Sequence, residues 1–304
     1  MGTQPSIKKG IAFAILAAAL YATSAPFSKL LFGVMPPTLM AGFLYLGAGL
    51  GMLVISFAHK MANEEEKEAK LTKADLPYVI AMIALDVAAP ICLLFGLKAT
   101  TAANASLLNN FEIVATALIA LVVFKEKISP RLWVGIFFVT FSCAILSFED
   151  RGSLRFSYGS LLVLLASVIW GFENNCTRKI SSKDPLQIVL LKGIFSGLGS
   201  LIIGLLIGER VEALWSVALV LCLGFVAYGL SIYFYVYAQR MLGAARTSAY
   251  YAVAPFLAAA LSLAIFREAP NASYFVALAF MALGAWLSSG DKPLFRRKKP
   301  RGGE

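Results

Sequence analysis

Ten stretches of about 18 to 24 mainly apolar residues, divided by short polar breaks, restrict this chain more than any other feature of its sequence. A helix crosses a hydrocarbon core of about 30 Å with roughly 20 residues. Lipid offers backbone amides no partner, so only helices or a closed barrel can span it. The weakly alternating segments of a membrane barrel are absent, and the expected fold is an all-α membrane protein. Its spans are expected near 10–32, 38–58, 76–97, 101–124, 132–148, 158–177, 186–207, 215–238, 247–266 and 272–289. Hydrophobic residues make up 59% of the chain and charged ones 14%, a surface composed for lipid rather than water.

A net charge of +10 would suit nucleic acid if it formed a patch, but it lies in the polar breaks. Six basic residues, Lys29, Lys98, Arg151, Arg155, Arg210 and Arg267, fall on one expected side. Lys192 lies inside a span, and the rest of the 27 Lys and Arg fall on the other side with both termini. The positive-inside rule then puts both termini in the cytoplasm, with the basic tail at 291–304 facing anionic headgroups. Cys92, Cys143, Cys176 and Cys222 lie singly in four spans, without CxxC spacing, so neither a disulfide framework nor a zinc site is indicated. His59 is the only histidine and sits at a loop edge, which excludes a histidine-based relay. No metal and no cofactor is expected.

Lys8 and Lys9 ahead of an apolar run resemble a signal peptide, but the internal repeat needs the first helix. Gly2 with Ser6 fits only the loose myristoylation pattern. That repeat aligns Gly10 with Gly159, Ala17 with Ala166, Tyr21 with Trp170, Lys29 with Arg178 and Pro36 with Pro185. After the charged loop at 60–75 the register shortens. Lys98 then meets Arg240, Ala103 meets Ala245, Ser106 meets Ser248, and Phe124-Lys125-Glu126 meets Phe266-Arg267-Glu268. Residues 10–148 and 149–290 thus form two five-helix repeats. Five crossings are an odd number, so the second copy is inverted, a recurring transporter plan with the substrate near the midplane. The loop with Glu64, Glu65, Glu66, Lys67, Glu68 and Lys70 reads as a solvated linker.

These halves, the pairs Tyr21-Ala22 and Trp170-Gly171, and the two Phe-basic-Glu endings resemble the EamA-type branch of the drug/metabolite transporter superfamily. Segments Ala25 to Lys29, Ala105 to Glu112 and Glu173 to Lys179 resemble a bacterial subgroup of that branch. The resemblance implies a ten-helix carrier in the bacterial inner membrane, working as a monomer, that moves amino acids, other metabolites or toxic compounds, often outward. The four-helix multidrug members of the superfamily couple to protons through a carboxylate in their first helix, and the first span here has none. Protons remain a candidate partner through other residues.

Charge inside a bilayer costs about 2.5 to 3.5 kcal/mol per residue at the helix centre, which makes each instance a candidate for function. Asp86, Glu112, Glu173 and Lys192 are those within spans. Helical spacing puts Asn109, Glu112 and Thr116 on one face and Trp170, Glu173, Asn174 and Thr177 on another, both suited to an amine or amide. The competing reading is structural: Glu112 bonded to a neighbouring helix, with Lys192 as one partner, and Asp86 set against the kink at Pro90. Tyr228, Tyr233, Tyr235, Tyr237, Tyr250 and Tyr251 crowd the eighth and ninth spans. Tyr233, Tyr237 and Tyr251 are candidates to stack on a cation or aromatic substrate, against a reading as interfacial belt. Asp86 and Lys192 are also candidates for coupling. Lys29 and Arg178 are candidates for gating salt bridges, or simply snorkel to headgroups. Pro26, Pro90 and Pro255 are expected to kink their helices.

No GxxxxGK[ST] pattern is present, so ATP-driven pumping is not indicated. The sequence therefore points to a secondary transporter of small polar metabolites, with a proton-coupled multidrug exporter as the alternative. A membrane enzyme acting on lipid intermediates, or a receptor, is the reading from another class. Short outer loops and the lack of intramembrane histidine weigh against the enzyme.

Overall fold

The computed structural model describes residues 7–61, 69–125, 128–150, 153–180, 183–242, 247, 250–267, 270 and 272–288. Gly2, Ser6, residues 64–68 of the acidic linker, Glu126, Ala245, Ser248, Glu268 and the tail at 291–304 lie outside the described residues.

Helix occupies every apolar stretch marked in the sequence, but several stretches are broken. The first is α1 (Ile7–Ala22) and α2 (Ser24–Leu31), parted at Thr23, whose N–H and Oγ1 both donate to the Leu20 carbonyl. Next come α3 (Pro37–Met61) and α4 (Leu76–Lys98), the latter preceded by a 3₁₀ turn at Lys73–Asp75. The fourth stretch is α5 (Ala102–Leu108), started by Thr101 accepting from the Asn104 N–H, and α6 (Phe111–Phe124). Asn109 and Asn110 divide these two by a tight turn, in which the Glu112 N–H bonds the Asn109 carbonyl at 3.1 Å. Then follow α7 (Pro130–Ser147) and α8 (Tyr158–Ile180). The seventh stretch runs from α9 (Pro185–Leu191) through a π-turn at Lys192–Ser196 into α10 (Gly197–Leu206). The eighth runs from α11 (Leu214–Gly224) through a π segment at Phe225–Leu230 into α12 (Ser231–Leu242). Last are α13 (Ala254–Phe266) and α14 (Ala272–Ser288).

Among the described residues, seven helical stretches are long and apolar enough to cross a membrane: 7–31, 37–58, 73–98, 102–123, 130–147, 185–206 and 214–238. The helices α13 and α14 are apolar but shorter. The 23 residues of α8 include Glu173, Arg178 and Lys179.

The described chain is helical except for a short antiparallel hairpin, β1 (Phe148–Asp150) and β2 (Ser153–Phe156), where Phe148 stands opposite Phe156. It falls between α7 and α8, where the apolar run ends and no helix need continue. Pro26 and Pro255 each lie in the first turn after a break in their stretch, at Thr23 and at Ala252–Val253, where the missing N–H has no intrahelical acceptor to lose. Pro90 is inside α4, as expected.

Helices from before the hairpin pack on helices after it. The pairs are α4 with α8, α7 with α14, α1 with α12, α6 with α8, α5 with α13, and α3 with both α10 and α11. Glycine permits the closest of these approaches, as expected where lipid removes the hydrophobic drive and packing must supply the attraction. A Cβ on Gly47 would collide with the Leu221 carbonyl, and one on Gly224 with that of Leu44. A Cβ on Gly171 would lie 2.7 Å from the Ala115 side chain, so α8 and α6 are almost in backbone contact there.

The motif pair seen in the sequence has a shared conformation. Lys125 and Arg267 end α6 and α13 in the left-handed region, at φ 55° and 50°, and their N–H groups bond the Ala120 and Leu263 carbonyls. A non-glycine residue pays a steric penalty in that conformation, yet the two register-mates both adopt it.

Candidate functional site

The i, i+3, i+4 faces of α6 and α8 meet. Asn174 Nδ2 donates to Glu112 Oε1 at 2.6 Å and reaches Thr116 Oγ1 at 3.3 Å. Beside it, Asn175 Nδ2 donates to the carbonyls of Thr116 (3.1 Å) and Gly171 (2.8 Å), which fastens the two helices. Glu112 stands in the first turn of α6, the positive end of the helix dipole, which favours an acid.

The other three intramembrane charges form one unit. Lys192 Nζ lies 3.0 Å from Asp86 Oδ2 and 3.0 Å from Glu173 Oε1, with side chains 13%, 0% and 3% exposed in that order. Asp86 Oδ1 accepts from Tyr45 OH at 2.9 Å and Trp170 Nε1 at 3.2 Å, and Thr177 Oγ1 donates to Glu173 Oε1. Lys192 opens the π-turn of the seventh stretch, and Ser196 at the end of that turn donates to the Ile83 carbonyl at 3.2 Å. π-turns inside helices recur at functional sites because they re-aim a side chain without ending the helix.

This arrangement corrects two sequence expectations. Lys192 pairs with Asp86 and Glu173 and not with Glu112, because α9 and its π-turn deliver it to the α4 side of α8. Asp86 is held by Tyr45, Trp170 and Lys192 and is not merely set against Pro90. Among the described residues no basic side chain pairs with Glu112.

Next to Glu112, Asn109 Nδ2 donates to Tyr21 OH at 3.2 Å, while Asn109 Oδ1 is buried without a hydrogen-bond partner, as is Asn110 Nδ2. Tyr21 belongs to a run of rings that links the two carboxylate groups. Tyr45 and Tyr228 are 5.2 Å apart between centroids, Tyr228 and Tyr21 5.9 Å, Tyr21 and Tyr251 6.0 Å, and Tyr251 and Tyr235 4.8 Å. Glu112 is within electrostatic reach of both Tyr21 and Tyr251. Ser24 donates to Tyr228 OH at 3.3 Å, and Ser231 Oγ lies 3.4 Å from Tyr251 OH.

Other candidates lie apart from this constellation. Tyr233 and Tyr237 lie against each other at 4.8 Å between centroids with planes tilted by 60°, Tyr237 also meeting Phe13 and Tyr233 meeting Phe234. Lys29 donates to the carbonyls of Leu97 and Thr100 at the end of α4, a helix C-terminus that favours a cation. Arg178 is exposed in the last turn of α8. Trp170 is buried on Asp86. Sequence reasoning passed over Tyr45, and used Tyr21 only as a motif letter. A lone tyrosine in an apolar run carries no periodic signal.

The model of the EamA-like transporter family matches the chain twice, over residues 8–148 and 157–290. An uncharacterized transporter of Methanothermobacter thermautotrophicus is 26% identical over 270 residues, which cover 84% of this chain and 78% of that protein. The uncharacterized inner membrane transporter YedA of Escherichia coli K12 is 24% identical over 273 residues, covering 86% and 85%. The uncharacterized transporter YyaM of Bacillus subtilis is 21% identical over 253 residues, covering 78% and 80%. A solved crystal structure superposes with a TM-score of 0.67 at 17% identity, over 92% of this chain and 95% of that one, and so shares its fold. Apolar helices long enough for a bilayer, buried charge at their centre and a family model matched along nearly the whole sequence lead to one conclusion: this is an integral membrane protein of the EamA-like transporter family.

Proposed function

We propose that this protein is a secondary transporter that exports small polar metabolites, amino acids or related amines, by alternating access. In this reading ten spans form two inverted units, residues 10–148 and 149–290, in a bacterial inner membrane, with both termini and the basic tail at 291–304 in the cytoplasm.

The double family match and the shared left-handed caps at Lys125 and Arg267 support two related units. Helix packing supports them independently. Exchanging the units carries the first span into the sixth and the third into the eighth. The observed pair of first with eighth (α1 with α12) thereby becomes sixth with third (α8 with α4), which is also observed. The pairs second with seventh, fourth with ninth and fifth with tenth each map onto themselves, and all three occur. Such a pattern fits a two-fold axis, and five crossings per unit would lay that axis in the membrane plane, the usual frame for alternating access.

One observation carries the functional reading: Glu112 lies at a helix break with a neutral amide as its partner. A hydrogen bond between membrane helices averages about 0.6 kcal/mol. An intramembrane acid costs about 2.5 to 3.5 kcal/mol, so packing does not account for Glu112, whereas recognition of a ligand does.

The test is counterflow into liposomes that hold the purified chain and are preloaded with unlabelled amino acids and primary amines. Saturable accumulation of a labelled member of that set, absent from empty liposomes, is expected. Conversion of a lipid, with no counterflow of any member, would replace the transporter by the enzyme.

A further inference from the structure

We infer that the ligand bound beside Glu112 is a protonated amine on a molecule that lacks a carboxylate, so that decarboxylated amines are preferred to their parent amino acids. This rests on the transport reading of the same site and narrows its substrate class.

The first argument is the balance of charge. Three acids, Asp86, Glu112 and Glu173, lie at this depth with one base, Lys192, and that base already bridges two of the acids at 3.0 Å each. A ligand carboxylate placed near Glu112 would meet acids without gaining a cation. To recruit Lys192 it would have to strip a counter-ion from Asp86 or Glu173, which are 0% and 3% exposed. Zwitterions and anions are therefore disfavoured by the same feature that attracts an amine.

The second argument is the balance of hydrogen-bonding groups. Glu112 uses Oε1 on Asn174, and Asn109 Oδ1 is buried without a partner, three residues away in the turn that joins α5 to α6. A primary ammonium brings three donors and no acceptor, which complements these oxygens. The third argument is aromatic. Tyr21 and Tyr251, with centroids 6.0 Å apart and planes tilted by 40°, stand within electrostatic reach of Glu112 and offer ring faces to a cation or to an aryl group.

Tyramine and tyrosine differ only in the carboxylate, so they separate the classes. Calorimetry on the detergent-purified full chain should show tyramine binding at least about tenfold more tightly than tyrosine. Glu112→Gln should weaken tyramine by about tenfold or more, while Glu112→Asp, which keeps the charge, should retain most of the affinity. Equal or tighter binding of tyrosine, no binding of tyramine, or unchanged tyramine affinity in a folded Glu112→Gln protein would overturn the inference. Labelled tyramine counterflow is read separately. Tyramine binding without counterflow keeps the substrate class and removes the carrier reading, and tyrosine counterflow without tyramine binding does the reverse.

Discussion

Glu173 and Asn174 are adjacent on α8, yet they serve carboxylate groups of opposite kind. Glu173 turns to Lys192 and, through it, to Asp86, a unit in which each acid has an ammonium at 3.0 Å and further donors from Tyr45, Trp170 and Thr177. Asn174 turns to Glu112, which receives an amide hydrogen bond but has no salt-bridge partner among the described residues. The first group is closed upon itself, and removing its one cation, Lys192, leaves two buried acids stranded. The second is open, and completing it requires something that the described chain does not supply. An ionic network built on Lys192 and an acid without a salt bridge, reached by adjacent residues of α8, divide the labour between holding the bundle together and receiving a ligand.

The sharpest way to break this contrast is to remove the shared cation. Lys192→Met leaves Asp86 and Glu173 buried and facing each other without compensation, a change that costs about 3 to 5 kcal/mol. A large fall in the thermal unfolding midpoint in detergent, or loss of folded protein at expression, is expected. Adding Asp86→Asn and Glu173→Gln to that variant should restore much of the stability, since it removes both stranded charges. A Lys192→Met protein as stable as the parent would show that the network is not the structural element it resembles.

Much of this contrast was legible in the sequence, because it rests on local spacing. The faces Asn109, Glu112, Thr116 and Trp170, Glu173, Asn174, Thr177 follow from helical periodicity; Asn174 does meet Glu112 and Thr116, while Trp170, Glu173 and Thr177 turn to the Lys192 group. The partner of Lys192 was not legible. Asp86 lies in α4 and Lys192 opens a π-turn that interrupts the 3.6-residue period, so no sequence separation encodes their approach. Tyr45 was missed for a related reason: its polar atom matters only because α3 packs on α4 and brings the hydroxyl to Asp86, 41 residues along the chain. Helix boundaries were read to within a few residues, and the break at Thr23 falls just ahead of Pro26, where a kink is expected, whereas the π-turns were not legible, since hydrophobicity is unchanged across them.

A milder intervention separates the two groups from the other side. Asn174→Ala removes the hydrogen bonds to Glu112 and Thr116 but leaves Lys192 and its acids untouched. Hydrogen bonds between membrane helices average about 0.6 kcal/mol and reach about 1.7, so a modest decrease in thermal midpoint is expected, well short of Lys192→Met. If Asn174→Ala were as damaging as Lys192→Met, the open group would be part of the bundle's framework, and the division drawn between the two would fail.

The smallest expected change in stability is the most informative. In Glu112→Gln the new amide keeps a carbonyl oxygen for Asn174 Nδ2, so the one contact that Glu112 makes with α8 survives. The substitution also takes an acid out of the membrane interior, which relieves part of an insertion cost of about 2.5 to 3.5 kcal/mol for the charged form. These effects leave the thermal midpoint unchanged or slightly raised, while ligand binding falls. Natural sequences keep a residue that destabilises its own fold when function requires it. A marked drop in the midpoint of Glu112→Gln would mean that Glu112 has a structural partner after all, and the open site would then be closed.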